Sequence, residues 1–402
     1  MSQAEAQLDA LSLESAPVEK VDVAGGPKFF IEGSVGDISR RYGLRGSSSS
    51  RASFDLSYSG RSENGMRFVL SDRIDAIHPR AVAGTDSVIN SLREAYVSWP
   101  LGAGQTVLDF GRINLRNGPG YGYNPTDFFR DGSLRVFTSA DPFALRQNRI
   151  GSVMLRGQQI WDGGSLSIAY SPKLATRPSA DGWSLDLGST NNRDRMLATL
   201  GSKFSETLNT QLFVYKEKGL SATLGANLTA LLSDAATAHL EWTRGHEPDL
   251  FTRAFSLPAN LETRNRFVGG VTYTTLGKTS ITAEYQYNGF GLSKARWDAL
   301  AVTPGAQLAY LSESLRLQEL APRQAVLIYV TQKSLWLKDL DLTAYVRFNP
   351  RDKSKLAWLE LRHHWANFDL TFQLQQNIGR QNTEFGVLPD RRLLQVLGTY
   401  YF

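Results

Sequence analysis

Apolar and polar residues alternate one by one through most of this chain, from about residue 29 to its last residue. The segment 368–375 reads FDLTFQLQ, and the segment 220–229 reads LSATLGANLT. A β-strand turns successive side chains to opposite faces, so this period of two gives each strand one apolar and one polar face. The pattern predicts an all-β chain.

Eighteen segments carry the alternation, and each has about 9 to 12 residues, the length that a tilted strand needs to cross a bilayer. We therefore expect 18 transmembrane strands, with 16 to 18 as the range. The predicted strands are 29–37, 52–60, 66–75, 91–99, 105–113, 149–159, 164–172, 194–204, 208–216, 219–230, 235–244, 264–275, 279–289, 324–334, 339–348, 354–365, 367–376 and 391–402.

The connections between these strands alternate between long and short. The segment 114–148 is the longest, whereas 162–164 is a tight Asp-Gly-Gly turn suited to a hairpin. Short links fill two of the long positions, at 217–218 and 350–353. Long extracellular loops and short periplasmic turns are typical of a transmembrane antiparallel β-barrel, and an even strand count puts both termini on the periplasmic side.

This architecture divides the chain into two parts. Residues 28–402 form the barrel, with an inserted pore loop at about 112–149. Residues 1–27 do not alternate, and we expect a periplasmic tail or a short helix that folds into the pore or binds a periplasmic partner. The first residues carry no positive or apolar leader region, so we expect that a signal peptide was removed before Met1.

The composition excludes several other classes of protein. No run of about 18 apolar residues predicts a transmembrane helix. Cysteine is absent, which excludes a disulfide framework, and we expect no metal or cofactor. The formal net charge is only +5, with no basic stripe, so nucleic acid is not an expected partner.

The last strand, RRLLQVLGTYYF, places Leu394, Val396, Tyr400 and Phe402 on one face. It resembles the C-terminal strand of Gram-negative outer-membrane barrels, whose terminal Phe is read by the barrel assembly machinery. The resemblance implies a location in the bacterial outer membrane, contact with membrane lipid and lipopolysaccharide, and an assembly signal at Tyr400 and Phe402. Chance termination on Phe is the alternative.

Aromatic residues also collect at predicted strand ends, as the girdles of membrane barrels require. They are Phe29, Phe30, Trp99, Trp161, Trp242, Trp336, Trp365, Tyr400 and Phe402.

The predicted inner faces carry many ionisable groups. Burying them in a dry core would cost too much free energy, so they predict a wet lumen or a dense network of ion pairs. The lumen wall is expected to include Arg67, Arg73, Glu94, Asp109, Arg156, Glu241, Glu284, Arg347, Glu360 and Arg362.

The third long loop is rich in arginine. From Arg112 to Arg149 it holds six arginines and three aspartates. General porins resemble this arrangement, because their third loop folds inward and sets the constriction. We predict that the loop narrows the lumen and favours anionic solutes. The alternative is a surface loop whose arginines pair with the aspartates or with lipopolysaccharide phosphates. The candidate residues are Arg112, Arg116, Tyr121, Tyr123, Asp127, Arg130, Asp131, Arg135, Arg146 and Arg149.

The run GRINLRNGPGYGYNPTDFFR within this loop also resembles segments of porin-like and polysaccharide-export barrels. It does not define a substrate. A dinucleotide-binding interpretation of its glycines fails, since no βαβ unit is present.

The long segment 290–323 contains Leu308, Leu311, Leu315 and Leu320 near helical spacing. It predicts a short helix, which either covers the pore or packs on the outer rim.

These features favour a porin-like channel for passive diffusion of small hydrophilic solutes, with a modest preference for anions. The alternatives are an export barrel for a polysaccharide, lipid or other product that works with a periplasmic partner, and a plugged structural barrel. The sequence shows no nucleophile elbow, and the barrel enzymes that it could resemble are smaller, so we do not expect an enzyme.

Overall fold

Eighteen antiparallel strands form one continuous sheet in the computed structural model, which describes residues 26–79, 86–102 and 105–402. The strands are β1 (Pro27–Arg40), β2 (Ser47–Arg61), β3 (Arg67–His78), β4 (Val88–Leu101), β5 (Thr106–Ile113), β6 (Ser152–Trp161), β7 (Gly164–Ser171), β8 (Arg195–Ser205), β9 (Leu208–Glu217), β10 (Thr223–Ser233), β11 (Ala236–Pro248), β12 (Leu261–Thr274), β13 (Thr279–Asn288), β14 (Gln324–Gln332), β15 (Leu340–Phe348), β16 (Lys355–His364), β17 (Phe368–Ile378) and β18 (Asp390–Tyr401).

The sheet closes on itself. Each strand pairs with its neighbours in the chain, and β1 pairs with both β2 and β18. In the closing pair Phe30 lies opposite Tyr401, and Arg40 lies opposite Asp390. The prediction of a barrel of 18 strands is confirmed, and closure leaves no unpaired strand edge.

The two faces of the sheet differ as the alternation predicts. On β17, Phe368, Leu370 and Phe372 are exposed on the outside, while Asp369 and Thr371 between them are buried on the inside. Because the same alternation continues around the ring, the barrel has an apolar outer band and a polar lumen.

The connections define two rims. The short-turn rim holds the links after the even-numbered strands β2 to β16, and the long-loop rim holds the links after the odd-numbered strands. Among the described residues, all helices lie in the long-loop links: α1 (Pro142–Gln147), α2 (Leu187–Thr190), α3 (Leu250–Ala254), α4 (Lys294–Leu300) and α5 (Ala306–Arg316). In the described part of the chain, none of these helices is long and apolar enough to span a membrane.

The aromatic residues at strand ends concentrate at the short-turn rim, where all of the predicted girdle residues except Trp242 lie. There the ring centroids of Phe29 and Phe402 are 5.0 Å apart, and those of Trp365 and Phe368 are 5.6 Å apart. Aromatic rings at one level on a barrel mark the boundary between its apolar band and water.

The expectation of a tail or helix for residues 1–27 falls almost entirely outside the described residues. Only Gly26 and Pro27 are described, and Pro27 is the first residue of β1.

Candidate functional site

The segment between β5 and β6, residues 114–151, crosses the inside of the barrel and is called the inserted segment below. On one side, Arg51 of β2 donates a hydrogen bond from Nη1 to the Thr138 carbonyl at 3.0 Å. On the other, Glu241 of β11 accepts one from the Gly120 N–H at 2.6 Å. In the ring of eighteen strands, β2 and β11 stand nine apart, so the segment joins opposite walls.

The Glu241 carboxylate holds the first half of the inserted segment. Besides the Gly120 N–H, it accepts hydrogen bonds from Asn124 Nδ2 at 2.9 Å and from the Thr126 hydroxyl at 2.8 Å. It also accepts from the Thr126 N–H at 3.3 Å. A carboxylate that accepts several hydrogen bonds is a strong anchor for a loop, because each bond is charge-assisted.

The Glu284 carboxylate on β13 is a second anchor next to the first. It accepts hydrogen bonds from the N–H groups of Tyr121 at 2.6 Å and Gly122 at 3.1 Å. His239 and Gln286 hold the same carboxylate from the wall, each at 2.9 Å. Both carboxylates thus satisfy backbone N–H groups that the inserted segment does not pair within itself.

The glycines of the inserted segment allow this close approach. Gly118 has a φ of 93°, and a Cβ there would overlap the carboxylate of Glu241. At Gly122 a Cβ would lie 2.6 Å from Nε2 of Gln286. The glycines of the sequence NGPGYGYN are therefore required because the backbone lies directly against the barrel wall.

A row of aromatic side chains supports the second half of the inserted segment. Tyr329, Tyr345 and Trp358 project inward from β14, β15 and β16, with neighbouring ring centroids 6.1 and 5.7 Å apart. The Tyr345 hydroxyl donates to the Ala140 carbonyl at 2.7 Å, and the Tyr329 hydroxyl donates to Asp141 at 3.0 Å. The sequence analysis missed this row, although all three residues occupy inward positions of their strands.

Three of the predicted loop arginines form ion pairs inside the barrel. Arg149 lies 2.7 Å from the Asp127 carboxylate, and Arg146 lies 3.7 Å from the same group. Arg130 lies 2.5 Å from Glu319, which comes from the segment before β14. Two guanidinium groups therefore share Asp127, while Arg130 has a partner outside the inserted segment.

Arg112 and Arg135 bind the long loop between β7 and β8. Arg112 donates to the carbonyls of Leu92 at 3.0 Å and Leu185 at 2.6 Å. Arg135 donates to the Ser184 carbonyl at 2.7 Å and lies 3.8 Å from Asp186. Of the four ion-paired loop arginines, Arg146 and Arg149 therefore pair with an aspartate of the loop itself, whereas Arg130 and Arg135 pair with acidic residues outside it.

Burial and neighbouring charge shift the ionisation of the inserted segment. Burial alone would raise the pKa of Asp131, but the guanidinium groups of Arg193 and Arg316 lower it below its ordinary value. Burial lowers the pKa of Arg149, and the Asp127 carboxylate opposes that shift. At Tyr123, burial raises the pKa well above its ordinary value. Paired charges here are stable only because each faces its counter-charge.

The segment between β13 and β14 touches the inserted segment. Glu319 lies between Arg130 and Arg266 of β12, at 2.5 and 3.2 Å. The Gly132 N–H donates to the Arg316 carbonyl at 3.0 Å, so the end of α5 lies against the inserted segment. The predicted helix is present, and its C-terminal end contacts the inserted segment.

The buried face of α5 differs from the leucine face that the sequence suggested. Tyr310 is fully buried, whereas Leu308 and Leu315 are exposed. Tyr310 also donates its hydroxyl hydrogen to the Ala321 carbonyl at 2.7 Å, which fixes the helix to the following turn.

A balanced cluster of charges lines the wall of β1 to β4. Arg73 lies 2.8 Å from Glu32 and 3.0 Å from Asp75, and Arg93 lies 2.5 Å from Asp55. Arg51 completes the cluster at 2.7 Å from Glu32. The sequence analysis did not include Arg51, Asp75 or Arg93 among the wall residues. Asp75 shares the inward face of β3 with Arg73, whereas a register shift between Ser71 and Asp72 interrupts the alternation beside Arg93.

The other predicted wall residues also face inward, and most have partners. Glu94 accepts a hydrogen bond from the Asn114 N–H at 3.1 Å, and Arg67 donates to Ser59 at 3.0 Å. The remaining ion pairs are Asp109–Arg156 at 2.7 Å, Arg347–Glu384 at 2.9 Å and Glu360–Arg362 at 3.0 Å.

The predicted assembly residues lie outside the lumen. Tyr400 and Phe402 are exposed at the short-turn rim, with ring centroids 5.0 Å apart. Within the described residues, no group of three or more histidine or acidic side chains is placed to hold a metal ion.

Several solved outer-membrane channels have the same architecture. OccAB1 of Acinetobacter baumannii is 13% identical, with a TM-score of 0.58 over 94% of this chain and 96% of that chain. OccK8 (OprE) of Pseudomonas aeruginosa is 11% identical, with a TM-score of 0.59 over 94% and 98%. OpdQ, from the same organism, is 12% identical, with a TM-score of 0.56 over 94% and 98%. The chain therefore has the fold of outer-membrane porins.

No protein-family model and no curated protein sequence matches this chain.

Proposed function

We propose that this protein is a diffusion channel of the bacterial outer membrane that passes small hydrophilic solutes and prefers anions. The observation that carries the proposal is the inserted segment, which is bound to opposite walls of a closed barrel of eighteen strands. Barrels of about 16 to 18 strands enclose an aqueous lumen. A segment fixed across that lumen reduces it to passages of solute size.

A location in the outer membrane agrees with the outside of the barrel. Apolar side chains such as Phe110, Leu155 and Leu212 are exposed there, and a soluble protein would gain nothing from such a band. The aromatic belt at the short-turn rim and the likeness to porin structures support the same location.

The preference for anions is supported by the charge of the inserted segment, which holds five arginines and three aspartates. Since Arg146 and Arg149 share Asp127, the pairing within the segment leaves an excess of positive charge. Positive charge at the narrowest part of a pore raises the local concentration of anions.

We propose a channel rather than an enzyme, because the acidic and histidine side chains that face the inserted segment are engaged in holding it. Glu241 and Glu284 bind backbone N–H groups, and His239 binds Glu284.

Single-channel recording in a planar bilayer tests the proposal. We expect ohmic openings from the purified protein and a reversal potential on the anion-selective side in a salt gradient. A protein that never conducts would overturn the channel and favour an export or structural barrel. Conductance without anion preference would overturn only the charge argument.

Two sets of variants test whether the inserted segment limits the conductance. Removing both anchors with Glu241→Ala and Glu284→Ala should give larger or noisier openings, because the inserted segment loses its hold on β11 and β13. Glu360→Ala is the matched control, since Glu360 also faces the lumen but pairs with Arg362. Equal conductance in both variants would contradict the role of the inserted segment.

The preference for anions is tested by a separate substitution. Arg116→Gln removes one positive charge of the inserted segment, near Glu94, with which Arg116 interacts electrostatically. We expect the reversal potential to move towards cations, and an unmoved potential would contradict the proposed basis of selectivity.

A further inference from the structure

A cavity lies at the long-loop rim, and it is called the rim pocket below. Its volume is about 440 Å³, and its lining includes Tyr287, Lys294, Trp297, Arg323, Gln324 and Arg351. Cavities of several hundred Å³ are large enough for a small organic ligand. Nothing in the proposed channel function requires this pocket.

The rim pocket borders the outer face of the barrel. On β13, Ile281 and Tyr285 are exposed on the outside, and Tyr287 continues the same face towards the rim. Gln324 of the lining donates a hydrogen bond from Nε2 to the Tyr285 hydroxyl at 2.9 Å. The pocket is therefore continuous with the apolar band that faces lipid, just above its edge.

Two arginines bring positive charge to the rim pocket without a paired carboxylate. Arg323 donates from Nε to the Gly291 carbonyl at 3.3 Å, and Arg351 donates from Nε to Gln324 Oε1 at 2.7 Å. Within the described residues neither arginine forms an ion pair, so the terminal nitrogens of both guanidinium groups are available to a ligand.

The acidic residues of the lining are engaged elsewhere. Asp352 accepts hydrogen bonds from the Ser354 N–H at 2.8 Å and from the Glu384 N–H at 2.7 Å. The Glu384 carboxylate pairs with Arg347 and with Asn349, at 2.9 and 3.0 Å. Because these carboxylates already have hydrogen-bond partners, they do not form ion pairs with Arg323 and Arg351.

We propose that the rim pocket binds the phosphate-bearing headgroup of a membrane amphiphile. The fork of a guanidinium group matches phosphate oxygens, and two unpaired forks in one pocket suit a phosphate better than a neutral group. The buried Trp297 ring and the neighbouring apolar lining would contact the part of the ligand next to the phosphate. A soluble phosphorylated compound shares this chemistry, and the position above the apolar band favours the lipid.

Binding measurements on the folded barrel in detergent test the proposal. The probes are short-chain phosphatidic acid, the matching diacylglycerol without phosphate, and inorganic phosphate. We expect phosphatidic acid to bind the wild type at least tenfold more tightly than either of the other two. The double variant Arg323→Gln and Arg351→Gln should lose at least tenfold in affinity for phosphatidic acid.

Arg244→Gln is the matched control. Arg244 is also an exposed arginine at the outer end of a strand, on β11, but it is not part of the lining of the rim pocket. Equal affinity in the double variant and in the Arg244→Gln control would overturn the site. Equal affinity of the wild type for phosphatidic acid and inorganic phosphate would overturn the membrane ligand. Arg351 is exposed, so Arg351→Gln alone provides a folded variant if the double variant does not assemble.

Discussion

Single residues decide where the inserted segment can lie. Gly118 and Gly219 both have positive φ angles, of 93° and 88°, so both favour glycine on backbone grounds. They differ in their surroundings, because a Cβ at Gly118 meets the Glu241 carboxylate and a Cβ at Gly219 meets nothing within 4 Å. A comparison of these two glycines therefore distinguishes the effect of backbone strain from the effect of contact with the barrel wall.

We predict that Gly118→Ala disturbs the channel and Gly219→Ala does not. Both changes carry about 1 kcal/mol of backbone strain, but only the first also pushes the inserted segment away from its anchor. Single-channel recordings should show more frequent conductance steps in Gly118→Ala alone. Similar recordings from both variants would show that contact with Glu241 does not position the segment.

Asp131 gives the site a dependence on pH. Its pKa in the folded protein is lowered, because Arg193 and Arg316 outweigh the effect of burial. A lowered pKa means that the ion pairs stabilise the fold above about pH 4, the ordinary value for aspartate, and that this contribution disappears as the pH falls through the lowered value.

We therefore predict that Asp131→Asn lowers the stability at pH 7 by about 1–2 kcal/mol, a partly exposed pair being worth less than a buried one. The difference from the wild type should shrink as the pH falls below about 4. Thermal unfolding in detergent measures both values, with Asp234→Asn in a short turn as the control. If Asp131→Asn changed the stability equally at pH 7 and below about pH 4, the assigned ion pairs would be contradicted.

At the scale of elements, the strands were predictable from sequence and the contacts of the inserted segment were not. Alternation is a local property, so all eighteen strands appear within a few residues of their predicted bounds. The partner of Arg130 is Glu319, 189 residues away, and a long loop carries no periodicity that would point to it. The arginines were therefore recognisable as a group, whereas their individual partners depended on the closed barrel.

The link between β13 and β14, which contains α5, contacts the inserted segment, and this contact leads to a prediction at the scale of elements. Glu319→Gln removes the negative charge that Arg130 and Arg266 share. The link between β13 and β14 should therefore detach from the inserted segment more often. We expect hydrogen exchange in residues 306–320 to become roughly tenfold faster, which corresponds to about 1.4 kcal/mol.

Glu313→Gln is the control for this change. Glu313 lies in α5, in the same link as Glu319, and pairs with Arg316, but it does not contact the inserted segment through its carboxylate. Equal acceleration of exchange in both variants would contradict a specific role of Glu319.

At the scale of the whole molecule, the barrel depends on the seam between its first and last strands. Phe402 donates its N–H to the Phe29 carbonyl at 3.3 Å, and the two rings are in contact. This contact joins residues from the two ends of the described chain, and such distant pairings form slowly.

We predict that Phe402→Ala reduces the yield of folded barrel, because it weakens the seam and alters the C-terminal strand that the assembly machinery is expected to read. The fraction that resists unfolding by detergent on a gel measures the yield after expression. Leu276→Ala is the control, since Leu276 is 93% exposed in a turn at the same rim. Equal yields from the two variants would contradict a role of Phe402 in assembly.

The inserted segment also has a mechanical consequence. A ring of eighteen strands that is empty inside can flatten under lateral pressure from the surrounding bilayer. Here β2 and β11, on opposite sides of the ring, are tied through Arg51, Thr138, Gly120 and Glu241. A segment bound to both walls therefore opposes flattening of the ring along the direction from β2 to β11.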